Sequence, residues 1–178
     1  MKIALALIVK GSDEEAKVLN ECLKYSRGFF SATYITITHK TGEARNKEVE
    51  RVIESWQGEP KNIYISDFEW CNDFSKARNF NFSQVPKAYD YIMWCDADDG
   101  FRGLELLQDV LNNNRDIDAF SMNYLYFFDE YKQPTVVHQK TQIIKNDGCL
   151  EWYGALHEDL KKIEIQKENS LKESKDFT

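Results

Sequence analysis

Apolar residues along this chain fall into two kinds of pattern. Short runs without alternation, at Ile3–Val9, Thr33–Thr38, Asn62–Ser66 and Tyr91–Cys95, predict strands covered on both faces. Between them the spacing becomes helical. Ser12 or Asp13 can cap a helix that carries Ala16, Leu19, Cys22 and Leu23. Glu43–Trp56 places Val49, Val52, Ile53 and Trp56 on one stripe, and Asp73–Val85 opens on a capping Asp and carries Ala77, Phe80 and Val85. Beyond Gly103, the residues Leu104, Leu107, Val110 and Leu111 mark a fourth helix. The later runs, Ala119–Phe128 and Val136–Ile144, interleave polar residues such as Ser121, Asn123, His138 and Lys140, which predicts a less covered, antiparallel edge. The whole order predicts an α/β protein: a mainly parallel central sheet, helices on both faces, and a smaller antiparallel part.

Bulk properties narrow the picture. A chain of 178 residues, 42% hydrophobic and 13% aromatic, has enough material for one domain with a real core. That domain is expected over residues 1–160. From Lys161 the sequence is charged and poor in large apolar side chains, so 161–178 is expected to be a tail or linker able to form a helix, leading toward a further domain or partner chain. The net charge of −7 argues against a protein that coats nucleic acid, which needs a basic face. It leaves room for a phosphate ligand whose charge is met by a metal. Cys22, Cys71, Cys95 and Cys149 lie far apart and form no C-x-x-C pair, which disfavours a zinc knuckle and predicts a reducing, cytoplasmic setting. The first apolar run lacks the basic start and small-residue cleavage site of a signal segment, and no stretch reaches transmembrane length.

The fourth strand run ends in acid: Tyr91-Ile92-Met93-Trp94-Cys95 passes directly into Asp96-Ala97-Asp98-Asp99-Gly100. Carboxylates this close repel one another and resist desolvation. A hard divalent cation with a diphosphate opposite would remove that cost. The position is also right, because ligands of open α/β sheets bind outside the carboxyl ends of the strands. A solvated, Asp-rich cap before Gly100–Leu104 is the competing account, and it applies most directly to Asp99.

Four segments occur together: Ile8-Val9-Lys10; Phe68-Glu69-Trp70-Cys71-Asn72-Asp73-Phe74-Ser75-Lys76-Ala77-Arg78-Asn79; Trp94-Cys95-Asp96-Ala97-Asp98-Asp99; and Trp152-Tyr153-Gly154-Ala155-Leu156-His157-Glu158-Asp159-Leu160. In this order and over roughly residues 1–160, they resemble the bacterial branch of the family 2 glycosyltransferases of GT-A fold. The resemblance implies a metal-dependent transfer of sugar from a nucleotide-sugar, UDP-linked by preference, to a saccharide, peptide or lipid-linked acceptor, with inversion. Asp98 matches the main ligand of Mn²⁺ or Mg²⁺, Asp96 touches ribose or metal, and Asp99 lies beside the sugar. Arg78, Val9 and His39 fall on the nucleotide side. His157 is implied as a further metal or diphosphate ligand, and Glu158 or Asp159 as the base that takes the acceptor proton. The alternative is a non-catalytic nucleotide or nucleotide-sugar binding module on the same fold.

Two stretches depart from the pattern. Relatives show an Asp after the second strand that reads the base, where this chain has Thr38-His39-Lys40-Thr41-Gly42. A Lys cannot accept a hydrogen bond from a uracil N–H, so the base remains open. The first loop reads Lys10-Gly11-Ser12-Asp13-Glu14-Glu15 where relatives have Lys-Asn-Glu-Glu.

Overall fold

A computed structural model of the chain describes residues 1–58 and 61–163. Six strands form one sheet: β1 (Ile3–Lys10), β2 (Ala32–His39), β3 (Ile63–Glu69), β4 (Tyr91–Asp96), β5 (Ala119–Phe128) and β6 (Pro134–Lys145), in the order β3-β2-β1-β4-β6-β5. β1 runs parallel to both β2 and β4, and β2 parallel to β3, while β6 is antiparallel to β4 and to β5. A central strand flanked and covered on both faces has no polar side to present, which is why Ile3 to Val9 is buried throughout and reads as one apolar run.

The two faces differ in bulk. On one, Leu5, Leu7 and Val9 meet helices α1 (Asp13–Ser26), α2 (Lys47–Trp56) and α4 (Leu107–Asn113) through Leu19, Val49, Ile53 and Leu111. On the other, the small residues Ala4, Ala6 and Ala32 let helix α3 (Phe74–Ser83) and the Val85 that follows it lie close to the sheet. Asn81 of α3 is fully covered and donates to the Tyr34 carbonyl at 3.0 Å and to the Thr36 hydroxyl at 2.9 Å. This face therefore holds α3 by polar bonds as well as packing. No helix among the described residues is long and apolar enough to cross a membrane.

Helix starts follow their caps. The Ser12 hydroxyl accepts from the Glu15 amide, and three acidic residues fill the first turn of α1, where the helix dipole favours them. Asp73 caps α3 in the same way. The second helix begins later than the stripe from Glu43 predicts: Asn46 accepts from the amides of Glu48 and Val49 and sets the start at Lys47. Upstream, Glu43 turns back to accept from the Lys40 amide and closes a turn. A 3-10 turn, Leu104–Leu106, precedes α4, entered through Gly103 at φ 80°.

The hairpin of β7 (Leu150–Tyr153) and β8 (Asp159–Lys162) was not expected. Its strands are four residues each and mixed in polarity, too short for a period-two signal. Lys161 and Lys162 thus belong to a strand, so the expected boundary at 160/161 falls within an element; the rest of the expected tail, from 164 onward, lies outside the described residues.

Candidate active site

The carboxyl ends of β1, β2 and β4 lie side by side, with Ile8 opposite Asp96 and Lys10 opposite Thr38. They open into a cleft of about 450 Å³ lined by Val9, Lys10, Glu15, Thr38, His39, Lys40, Trp70, Phe74, Asp96 and Asp98. Val9, His39, Asp96 and Asp98 thus line one cleft. Trp70 and Phe74 add an aromatic wall, their rings edge to face at 4.8 Å.

Arg78 sits at the centre of the polar network. It is buried, 4% exposed. Its guanidinium lies 4.2 Å over the Trp94 ring and 5.3 Å from that of Trp152, two indoles that pack edge to face. Arg78 Nε donates to Glu158 Oε1 at 2.7 Å, and its Nη2 donates to Asp96 Oδ1 at 2.6 Å. A fork of fixed donors suits this double engagement. Arg78 therefore ties the β7–β8 hairpin to the end of β4 instead of presenting a free guanidinium to the cleft. Asn79 reinforces the tie, donating to the Trp152 carbonyl at 2.8 Å and accepting from the Trp152 amide at 2.9 Å.

Asp96 is engaged on both oxygens. Lys140 Nζ, from β6, donates to Oδ2 at 3.3 Å and lies over the rings of Trp94 and Tyr124 at 4.5 Å and 4.4 Å. Burial disfavours the Asp96 charge, but Arg78 and Lys140 outweigh it and hold the carboxyl below its usual range. Asp99 is buried and anchors the turn: one oxygen accepts from the Asp96 amide at 2.9 Å and the other from the Tyr124 hydroxyl. Burial raises the Asp99 carboxyl despite those two bonds. Burial and the bond to Asp99 push the Tyr124 phenol upward, so it stays a donor. Glu15, from the first turn of α1, is raised by burial and then by Asp98.

Asp98 differs from its neighbours. It is exposed, and makes no side-chain hydrogen bond or ion pair among the described residues. His157 is exposed too, in the β7–β8 loop at φ 54°. Asp159 is exposed, and one of its oxygens accepts from the Leu160 amide at 2.7 Å. Among the described residues no three His, Cys, Asp or Glu side chains gather where one ion could sit, so the expected trio of Asp96, Asp98 and His157 is not assembled. The reason is that Asp96 faces two cations, which repel a third. Asp98 is left as an exposed carboxylate on the cleft, and Mg²⁺ commonly binds through one or two carboxylates plus phosphate oxygens.

Lys140 and Tyr124 were not foreseen as site residues. Their only sequence signal is a place in alternating strands. The antiparallel register that sets Met122 opposite Lys140 and Tyr124 opposite His138 brings them here.

No protein-family profile matches the chain, and no curated protein does. Among solved structures, 4-diphosphocytidyl-2C-methyl-D-erythritol synthase from Anaerococcus prevotii is similar with a TM-score of 0.54 and 13% identity, covering 82% of this chain and 70% of the other. The chain has the fold of the nucleotide-diphospho-sugar transferases. At that identity the likeness extends to the fold alone. HddC from Yersinia pseudotuberculosis scores 0.49 at 11% identity, covering 82% of this chain and 74% of the other. S. aureus TarS 1-349 scores 0.49 at 15% identity over 76% of this chain, which spans 38% of the TarS chain.

Proposed function

We propose that this protein transfers a sugar from a nucleotide-sugar to a hydroxyl acceptor, as a glycosyltransferase. The observation that carries the reading is the division of labour in the acidic turn. Asp96 is neutralised by Arg78 and Lys140, Asp99 is fastened by Tyr124 and backbone, and Asp98 alone is left open on a cleft at the strands' carboxyl ends. A turn so arranged offers one carboxylate to a phosphate-bound ion without accumulating charge. The resemblance of the four sequence segments to family 2 glycosyltransferases supports the same role.

In this reading the nucleoside lies against Trp70, Phe74, Thr38 and His39, with its diphosphate directed toward Asp98. Asp98 would hold Mn²⁺ or Mg²⁺, which when bound neutralises charge on the departing diphosphate. Lys10 lines the same cleft and adds positive charge there. The rigid Arg78–Asp96–Lys140 array fixes the turn so that Asp98 keeps its aim. Of the two candidate bases, Glu158 accepts from the Arg78 that also holds Asp96, and Asp159 is exposed in β8 outside the cleft lining; an inverting displacement would draw its base from this pair. A cytoplasmic setting fits the unpaired thiols of Cys22 and Cys95, whose sulfurs stand 3.8 Å apart.

Calorimetric titration with UDP, with and without Mn²⁺, tests the reading. Binding should require the ion and weaken at least tenfold in Asp98→Ala; ion-independent binding that survives the substitution refutes it. A nucleotidyltransferase of the same fold would need a glycine-rich phosphate loop after β1. Here Gly11 is followed at once by the Ser12 cap of α1. A binding module without catalysis would titrate alike but release no UDP from a nucleotide-sugar.

A further inference from the structure

Asp98 borders two clefts. The first is the nucleotide cleft just described. The second, of about 520 Å³, lies on the β5 side and is lined by Asp98, Asp99, Phe101, Arg102, Tyr124 and Phe128, among others. A transfer reaction needs two substrates to meet at one point, and Asp98 is the side chain common to both cavities. We infer that the second cleft is the acceptor site, and that its occupant is an oligosaccharide chain lying along β5. This rests on the glycosyltransferase reading above.

The lining supports a saccharide. Sugar rings present apolar C–H faces and hydroxyl edges, so their sites combine aromatic surfaces with a few polar groups. Phe101, Tyr124 and Phe128 supply the surfaces. Asn123, Gln142 and Arg102 supply hydrogen bonds, and Arg102 is exposed without an ion-pair partner among the described residues. The volume is in the range that encloses a drug-sized ligand, which is more than one sugar ring requires. The surface also continues: Tyr126 packs on Tyr124 at 4.9 Å between centroids, and Tyr126 and Phe128 are 44% and 51% exposed on β5, the outermost strand of the sheet among the described residues. Such a row suits successive rings of a chain. An anionic membrane is a poor occupant, because Asp129 and Glu130 sit at the tip of the β5–β6 hairpin and would be repelled.

The test uses the full chain on a glycan array of neutral, N-acetylated and uronic oligosaccharides, followed by solution titration of the best binder and its shorter homologues. The inference expects binding that strengthens with chain length and falls about five- to tenfold in Phe128→Ala, the effect of one lost stacking surface. Arg102→Ala provides a second substitution, at an exposed side chain without an ion-pair partner among the described residues, which keeps the test independent of folding. Binding of no oligosaccharide, binding indifferent to both substitutions, or binding to phosphatidylcholine vesicles instead overturns it. UDP titration in parallel separates the two claims. If UDP fails to bind but the oligosaccharide series behaves as stated, the saccharide site stands, while the nucleotide-sugar reading and the acceptor role that rests on it fall. If UDP binds through Asp98 and the oligosaccharides do not bind, the reverse holds.

Discussion

Replacing Arg78 by Met should be the most damaging single change at this site. Met keeps much of the length and the apolar stem but removes the charge and both fork donors. The loss leaves the Glu158 carboxylate, 14% exposed, without its cation, and Asp96 with Lys140 alone. Removing one partner of a buried pair costs about 3–5 kcal/mol. Asp96 is 34% exposed and keeps its second cation, so the lower end applies, about 3 kcal/mol. In a domain of this size that corresponds to a fall in Tm of about 6–12 °C. The pH dependence is the sharper check. In the wild type the Asp96 carboxyl is held below its unfolded value. Its stabilisation is therefore complete above about pH 4 and is lost only as pH falls through the lower, folded value. Without Arg78 only Lys140 opposes burial, so the carboxyl lies higher than in the wild type and this part of the stabilisation is missing near neutrality. The wild type loses the same part as acid titrates its Asp96. Thermal unfolding of both proteins at about pH 7 and about pH 3 should show the gap narrowing in acid. A gap equal at both values, or a Tm loss under about 2 °C, would show that Arg78 is not the tie between hairpin and sheet.

Other outcomes follow from the same geometry. Tyr124→Phe removes the hydroxyl that donates to buried Asp99, and urea unfolding should show a loss of about 1–3 kcal/mol; a change within a few tenths would contradict the anchoring role. Asp98→Asn should leave Tm within about 1 °C, because the side chain is exposed and has no partner among the described residues, while Mn²⁺-dependent UDP binding falls at least tenfold. Asn79→Ala deletes both bonds to the Trp152 backbone, and amide exchange should accelerate across β7 and β8 while β1 stays protected.

The sheet was legible in the chain because its signals are local. A buried parallel strand must be apolar at every position, so β1 and β4 announce themselves, and Ser12 and Asp73 mark helix starts because the cap bond spans only three residues. The acidic turn was legible for the same reason, lying where a buried strand ends. The start of α2 was not, because Asn46 rather than the apolar stripe ends the turn before it. Neither was the β7–β8 hairpin, whose strands are too short to carry a period.

What tertiary structure decided was the state of each carboxylate. Asp96, Asp98 and Asp99 are equivalent as letters. They become a neutralised anchor, an open carboxylate and a buried fastening only when Arg78, 18 residues away, Lys140, 44 away, and Tyr124, 25 away from Asp99, arrive through strand order and register. Charge interactions depend on distances through space that no local spacing encodes. The sequence by itself determined where the acidic turn would lie; the fold determined which of its three acids is free to act.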